Sequence, residues 1–105
     1  VPDLAGWRRE RLPSVPNVAY LTLAPDWICE VVSPATETID RGQKLRIYTR
    51  EGVAFAWLVD PWRESLEVLT LEVRSFRQLE GHHGSVSVRA RPFDAIELEL
   101  SALWS

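Results

Sequence analysis

The sequence predicts an α/β (α+β) domain in which one crossover helix connects two strands of a mixed β-sheet. Two observations predict this fold class, and a third predicts the number of domains. The apolar and amphipathic segments follow the order of two strands, one helix and five further strands. The helix signals lie directly between two strongly apolar strands, as in a crossover connection. The 105 residues are 46% hydrophobic and 26% charged, which suits one core, so we expect a single domain over residues 1–105.

The first elements are a strand end, a long loop and a strongly apolar strand. Residues 1–17 contain three prolines and the cluster GWRRERLP without a sustained period, which predicts a strand end followed by a surface loop. Residues 27–32 are mainly β-branched, aromatic and apolar, which suits a strand covered on both faces. Ser33 and Pro34 end this strand, because proline cannot continue the ladder and restricts the residue before it.

The segment DRGQKLRIYTREG carries the signals of the crossover helix, which we place at about residues 40–50. Asp40 is predicted as its N-cap, with Gln43 completing a capping box, and Gly52 is predicted as its C-terminal stop. Gly42 lowers the helix propensity by roughly 1 kcal/mol. Thr36 or Thr38 could instead cap an earlier start.

The second half of the chain predicts a hairpin followed by weaker strands. The runs VAFAWLVD and SLEVLTLEV, joined by PWRE, predict a β-hairpin at residues 53–73. SFRQLE and SVSVRAR are weaker strands, and the glycines of GHHG between them favour a turn with His82 and His83 at its tip. Imidazoles adjacent in sequence rarely chelate one ion, so a metal site there is disfavoured. DAIELELSALW alternates apolar residues with acids, the period of a half-exposed strand.

Composition excludes several classes of protein. The net charge of −3 argues against a nucleic-acid binder that acts through overall positive charge, but it leaves a local basic patch open. No apolar run approaches the roughly 20 residues that span a bilayer, so we expect a cytoplasmic protein without a membrane partner. The single cysteine, Cys29, excludes an internal disulfide and is expected to be buried. The chain begins Val-Pro-Asp and contains no methionine, so we expect that the N-terminal portion of the domain is missing.

Glu30 interrupts the apolar strand and is the main candidate for function. An isolated ionised carboxylate is too costly to bury in a marginally stable domain, so it must be protonated, paired with a cation or bound to a metal. Strand alternation places Glu30 on the face of Ile28 and Val32. Asp26 shares that face, but four residues of strand span roughly 13 Å, so Asp26 is better explained as a strand-entry residue.

Two other side chains could complete a site with Glu30. Asp3, in VPDL, can approach Glu30 from a neighbouring strand, and two such carboxylates suit Mg²⁺. Lys44 lies one turn beyond the predicted cap, and helical side chains lean toward the N-terminus, back toward the strand of Glu30. A lysine there could orient a water or offset charge on a phosphate. The alternative is that Glu30 forms a buried structural salt bridge with Lys44 or an arginine.

Arginine and tryptophan residues offer weaker candidates for binding. Arg8, Arg9 and Arg11 in the N-terminal loop could contact a phosphate backbone, although a solvated charged loop is the favoured explanation. Trp57 is predicted in the core of the hairpin and Trp62 as the cover of its turn, although Trp7 and Trp62 could instead stack on exposed bases.

The segment PDWICEVVSPATETIDRGQKLRIYTREGVAFAWLVDP resembles the signature of the Uma-two (Uma2) family of putative restriction endonucleases. VPDLAGWRRERLP and PFDAIELELSALW also resemble members of that family, so the resemblance covers nearly the whole chain. The family is assigned to the PD-(D/E)XK nuclease superfamily, whose restriction-endonuclease-like fold holds a metal with an Asp after Pro on one strand and Glu-x-Lys on the next. The resemblance thus implies a restriction-endonuclease-like fold, and from the start of the chain we expect residues 1–105 to be the C-terminal part of such a domain.

By this resemblance, Asp3 and Glu30 are metal ligands, and the backbone carbonyl of Val31 also faces the metal. The lysine place of Glu-x-Lys falls on Val32, which has no charge, and the resemblance implies that Lys44 in the following helix takes over its role. The implied activity is a Mg²⁺-dependent endonuclease that hydrolyses the phosphodiester bonds of DNA.

Two alternatives belong to other functional classes. One is a catalytically inactive module of the same fold that binds nucleic acid or forms a homodimer, because the upstream helix that usually contributes another acid is not in the sequence. The other is an interaction protein whose Trp-rich hairpin forms a homodimer interface.

Overall fold

The computed structural model describes residues 2–14 and 23–104, which form a five-stranded mixed sheet, a two-stranded sheet and a composite helix. In chain order the elements are β1 (Leu4–Gly6), β2 (Trp27–Val31), α1 (Glu37–Ile39), a π-helical turn (Asp40–Lys44), α2 (Leu45–Glu51), β3 (Phe55–Asp60), β4 (Ser65–Leu71), β5 (Phe76–His83), β6 (Ser87–Val88), β7 (Leu98–Glu99) and α3 (Ser101–Trp104). The predicted order of strands and helix is therefore confirmed. Among the described residues, none of the helices has the length and apolar character needed to span a bilayer.

The larger sheet has the strand order β1-β2-β3-β4-β5. Strands β2 and β3 are parallel, with Glu30 opposite Leu58, whereas the other neighbouring pairs are antiparallel. A parallel pair cannot be joined by a tight turn, so the chain needs a crossover, which the helical segments between β2 and β3 provide. The predicted mixed sheet with a crossover helix is confirmed.

Strand alternation divides the core into two layers on opposite faces of the larger sheet. One layer contains Ile28 and Leu58, and Tyr48 from α2 packs on it. The other layer contains Trp57 and is closed by Leu100 from the C-terminal segment. The sheet is therefore covered on both faces, which explains the continuous apolar character of its central strands.

The crossover helix begins earlier than predicted. Helical structure starts at Glu37, so Asp40 lies inside the helix, and the predicted capping box of Asp40 and Gln43 is wrong. The chain enters the helix through a turn in which the backbone amide of Glu37 donates to the carbonyl of Ser33 at 2.9 Å. Because this turn already satisfies an initial amide, the helix needs no cap at Asp40.

The C-terminal end of the helix agrees with the prediction. Gly52 has a left-handed backbone conformation with φ 75°, and its amide donates to the carbonyls of Tyr48 and Thr49. These bonds satisfy carbonyl groups that the last helical turn leaves without intrahelical partners.

The turn predicted at GHHG lies at its last residue, and the prediction that His82 and His83 form its tip is wrong, because both belong to β5. His82 lies opposite Leu66 of β4, so the ladder of this hairpin continues through both imidazoles. The chain turns one residue later, at Gly84, whose φ of 77° suits a residue without a Cβ atom. Strand β6 then leaves the larger sheet and pairs with β7, the only part of the predicted C-terminal strand that is extended.

The two tryptophans of the hairpin have different environments. Trp57 is buried, as predicted, and its indole N–H donates to the backbone carbonyl of Arg91 at 2.7 Å. Trp62 is 78% exposed, so the prediction that it covers the hairpin turn is wrong. Trp62 lies in the turn between β3 and β4, and the described residues leave most of its surface open to solvent.

Replacing the glycine that ends α2 tests the contribution of its backbone conformation. Gly52→Ala is expected to lower the free energy of unfolding by about 1 kcal/mol, because alanine is strained at positive φ. A Cβ at Gly52 or at Gly42 would meet nothing within 4 Å, so sterics do not distinguish the two positions. Gly42→Ala, which adds the same methyl group without a positive φ, is the control and should leave stability unchanged or higher. Equal losses in urea unfolding would contradict this explanation.

The burial of Cys29 predicts low thiol reactivity in the folded protein. Desolvation, with the nearby carboxylates of Asp3 and Glu30, raises the pKa of the Cys29 thiol from 9.0 to about 12. At pH 8 the native protein should therefore react with a chromogenic disulfide reagent far more slowly than the urea-unfolded chain. Because only the unfolded chain ionises near pH 9, stability should also decrease as the pH rises above that value. Rapid labelling of the native protein would contradict this expectation.

Candidate functional site

Glu30 is fully buried on the sheet face that the crossover helix covers. Its carboxylate oxygens accept hydrogen bonds from two helical side chains. The ammonium of Lys44 lies 3.1 Å from Oε2, and the hydroxyl of Tyr48 lies 2.5 Å from Oε1. The buried carboxylate is therefore paired with a cation, one of the outcomes that its burial required.

Tyr48 is a residue of this site that the sequence analysis missed. It stands four residues after Lys44, so the two side chains lie on the same face of the helix, one turn apart. That spacing was the available signal, but an aromatic residue at helical spacing is also typical of a core position. Tyr48 fills both roles, because its ring packs in the buried cluster while its hydroxyl reaches Glu30.

The π-helical turn Asp40–Lys44 is held to the sheet through Arg41. Two guanidinium nitrogens of Arg41 donate to the two carboxylate oxygens of Glu67 at 2.8 and 2.7 Å. A third nitrogen donates to Glu37 at 3.0 Å, one helical turn earlier. Because such bidentate pairs fix both distance and orientation, they hold the turn that ends at Lys44. π-helical turns occur frequently at functional sites.

Carboxylates from three positions share one row of the sheet. Glu30 lies opposite Leu58, and Leu58 lies opposite Glu67, so the two acids lie on the same face, separated by one strand. Each acid is bound by a basic residue of the π-helical turn. Asp3 extends the row at the other side, because Leu4 pairs with Cys29 in the antiparallel β1–β2 ladder.

The carboxylate of Asp3 reaches the end of β2. Its Oδ2 accepts a hydrogen bond from the backbone amide of Val31 at 2.7 Å. Asp3 is thus attached to the residue that follows Glu30, while Lys44 is attached to Glu30 itself. Within residues 2–14 and 23–104, no group of three or more His, Cys, Asp or Glu side chains is arranged to hold a metal ion.

Asp26 organises the N-terminal loop. It accepts hydrogen bonds from the backbone amide of Arg8 at 2.7 Å and from the guanidinium of Arg11 at 2.6 Å. Partial burial acts to raise the pKa of Asp26, but these hydrogen bonds and charges lower it overall. Asp26 is therefore a structural residue at the entry to β2, as its strand position predicted. Arg11 is paired with Asp26 at 2.6 Å.

His82 also has a structural partner. Its Nε2 lies 2.9 Å from a carboxylate oxygen of Glu80, and Arg91 lies 3.2 Å from the other oxygen. Burial acts to raise the pKa of Glu80, but the hydrogen bonds from His82 and Arg91 outweigh it and lower the pKa. This network connects β5 to the segment after β6, and it explains His82 without a metal.

The mixed sheet and the crossover helix place the protein in the α+β class. A solved structure shares this fold: the crystal structure of a putative nuclease belonging to DUF820 from Anabaena variabilis, with a TM-score of 0.71 and 22% identity over 99% of this chain. The chain spans 59% of the length of that protein.

A family model described as "Putative restriction endonuclease", that of Uma2, matches residues 1–102. The chain therefore belongs to the Uma2 family of putative restriction endonucleases, as its sequence motifs indicated. No protein among those with curated descriptions matches the chain.

The pairing of Lys44 with Glu30 can be measured by a double-mutant cycle. Lys44→Met is expected to lower the free energy of unfolding by about 1–3 kcal/mol, because it leaves a fully buried carboxylate without its cation. In a Glu30→Gln background the same substitution should cost much less, since the amide is neutral.

Arg50→Met is the matched control for this cycle. Arg50 lies on the same helix but is exposed, so its removal should change stability by no more than about 0.5 kcal/mol. Denaturant titrations of the four variants of the cycle and of this control give the coupling energy directly. Additive effects of the Lys44 and Glu30 substitutions would show that the ion pair contributes nothing.

Proposed function

We propose that the protein is a metal-dependent nuclease that hydrolyses the phosphodiester bonds of DNA, with Mg²⁺ bound by Asp3 and Glu30. The observation that carries this proposal is the fully buried carboxylate of Glu30, paired at 3.1 Å with the ammonium of Lys44 in a chain of the Uma2 family. Buried ionisable groups with specific charged partners cluster at functional sites.

The oxygen atoms at the ends of β1 and β2 suit Mg²⁺. Asp3 and Glu30 contribute carboxylates, and Val31 contributes its backbone carbonyl. The N–H of Val31 donates to Asp3, and the carbonyl of the same residue points to the same edge of β2. An ionised carboxylate has about four acceptor positions, so Glu30 can accept more than its two hydrogen bonds. One or two protein carboxylates normally suffice for Mg²⁺, because waters and substrate phosphates complete its coordination.

Each side chain of the site has a distinct role in this proposal. The bound metal supplies a Lewis acid that lowers the pKa of a water and offsets charge on the phosphate. Lys44 orients the attacking water and neutralises developing negative charge. Tyr48 holds the Glu30 carboxylate in one orientation through its hydroxyl. Val32, at the place of the superfamily lysine, is 2% exposed within the apolar core, so the cation comes from the helix instead.

A second candidate is an inactive nuclease-fold module that binds nucleic acid or forms a homodimer. One observation favours it: both carboxylate oxygens of Glu30 already accept hydrogen bonds, from Lys44 and Tyr48. Such a group can persist as a structural ion pair, which needs no metal to satisfy its charge.

DNA nicking assays distinguish the two candidates. The protein is incubated with supercoiled plasmid and Mg²⁺, and the rate of conversion to open circles is measured on gels. Asp3→Asn and Glu30→Gln are expected to lower this rate by roughly 100-fold or more, and chelation of the metal should abolish it. Glu97→Gln, which removes an exposed carboxylate far along the chain, is the control and should nick at the wild-type rate.

Folding and metal affinity are measured independently of activity. Thermal unfolding by circular dichroism verifies that each variant is folded, and calorimetric titration with Mn²⁺ reports metal binding without turnover. Lys44→Ala should retain metal binding while losing nicking, because it removes the water-orienting group but keeps both carboxylates. Equal nicking by wild type, Glu30→Gln and Lys44→Ala would exclude catalysis at this site and favour the inactive module.

A further inference from the structure

A groove on the outer flank of α2 is lined by arginines. It lies between α2 and the turn that connects β4 to β5, has a volume of about 600 Å³ and is open to solvent. Arg41, Arg46 and Arg50 line its helical side, and Arg74 lines the opposite side. None of the residues that line it is acidic. We call this surface the arginine groove.

The charge of the arginine groove is opposite to that of the chain as a whole. The chain has 15 acidic and 12 basic residues and a net charge of −3. Four of the 12 basic residues nevertheless line this one groove. The protein therefore has no general attraction for polyanions, but it has a local surface that can attract them.

Three of the four arginines are available for an external partner. Arg41 is bound to Glu37 and Glu67, whereas Arg46, Arg50 and Arg74 are exposed and form no ion pair or side-chain hydrogen bond with the described part of the chain. Arg46 and Arg50 are one helical turn apart, where like charges destabilise a helix by a few tenths of a kcal/mol. Their arrangement therefore serves folding poorly and suits the capture of an anion.

Arginine matches one class of anion particularly well. The planar guanidinium group binds the oxygens of a phosphate through two parallel N–H bonds and keeps its charge at every physiological pH. Arginines on two walls of an open groove suit a ligand with successive phosphates better than a single small anion, which would contact one wall. Nucleic-acid backbones present such a row of charges.

The arginine groove is separate from the candidate metal site, although both are built around the same helix. Lys44 faces Glu30 on the sheet side, and Arg46, two residues later, lies about 200° around the helix. Arg46 therefore lies about one helix width from Lys44, on the order of 10 Å. A DNA molecule is long enough to contact both.

We propose that the arginine groove binds the phosphodiester backbone of DNA beside the candidate metal site, an inference that takes the identity of the ligand from the proposed nuclease function. The groove contacts phosphates and not base edges, so its binding is independent of sequence and strongly dependent on salt. Its role is to hold the duplex while one phosphodiester bond lies at the metal site.

A binding assay without cleavage tests this proposal. Fluorescence anisotropy measures the affinity for a labelled duplex of mixed sequence, about 30 base pairs long, in EDTA over a range of salt concentrations. Arg46→Gln/Arg74→Gln, with one substitution on each wall, should weaken binding roughly tenfold or more at low salt. The slope of log K against log salt concentration should decrease by about 2, which corresponds to two lost phosphate contacts.

A variant with the same change in charge provides the control. Arg77→Gln/Arg89→Gln also removes two exposed arginines outside the groove, one on β5 that is paired with Glu72 and one after β6 that donates to backbone carbonyls. Its affinity should stay within about threefold of wild type with nearly the same salt slope. Equal losses in both double variants would show that binding is diffuse, and wild-type binding by Arg46→Gln/Arg74→Gln would also overturn the proposal.

The outcomes separate this inference from the nuclease proposal. Selective loss of binding in Arg46→Gln/Arg74→Gln supports the arginine groove, whatever the result of the nicking assay. If Glu30→Gln then nicks plasmid as wild type does, the protein is a DNA-binding module without catalysis at Glu30. Conversely, loss of nicking in Glu30→Gln together with wild-type binding by the groove variant supports the nuclease and rejects the groove. Circular dichroism of each double variant verifies that it is folded.

Discussion

The burial of one carboxylate constrains the architecture around the candidate site. Glu30 has no exposed surface, so its charge must be balanced within the protein, and the balancing groups come from the crossover helix. The helix must therefore lie over β2 in a single register that brings Lys44 and Tyr48 to the carboxylate. An apolar residue in place of Glu30 would tolerate several helix registers, whereas an ion pair with a hydrogen bond tolerates few.

The remaining electrostatic contacts of the helix strengthen the same register. Arg41 binds Glu67 two strands away from β2, and Arg63 in the hairpin turn binds both Glu37 and Asp60. Exposed ion pairs contribute little individually, but connected ones restrict how the helix and the sheet can move relative to each other. The irregular π-helical turn is thus stabilised on both sides, and its last residue, Lys44, is placed reproducibly over Glu30.

The outer and inner flanks of this helix have contrasting electrostatics. On the inner flank Lys44 is matched by the buried acid Glu30, and Arg41, which lines the groove, is matched by the half-buried acid Glu67, so these two charges stabilise the fold. On the outer flank Arg46 and Arg50 face solvent across from Arg74, without matching acids in the groove. Although the net charge of the protein is negative, one set of its basic residues stabilises the fold and a different set is exposed and can bind a phosphate.

The sequence by itself determined the element order, the burial of Cys29 and the C-terminal end of the helix at Gly52, because these follow from local periodicity and backbone preference. For Glu30, the cost of burying charge required protonation, a cation or a metal, and the structure shows the pair with Lys44. Only the tertiary structure decided the start of the helix at Glu37, the extension of β5 through His82 and the contact of Tyr48 with Glu30. These features depend on hydrogen bonds and packing between residues distant in sequence, which override local signals such as a potential cap or a glycine. The arginine groove belongs to the second group, since Arg74 meets Arg46 and Arg50 only when the hairpin and the helix pack side by side.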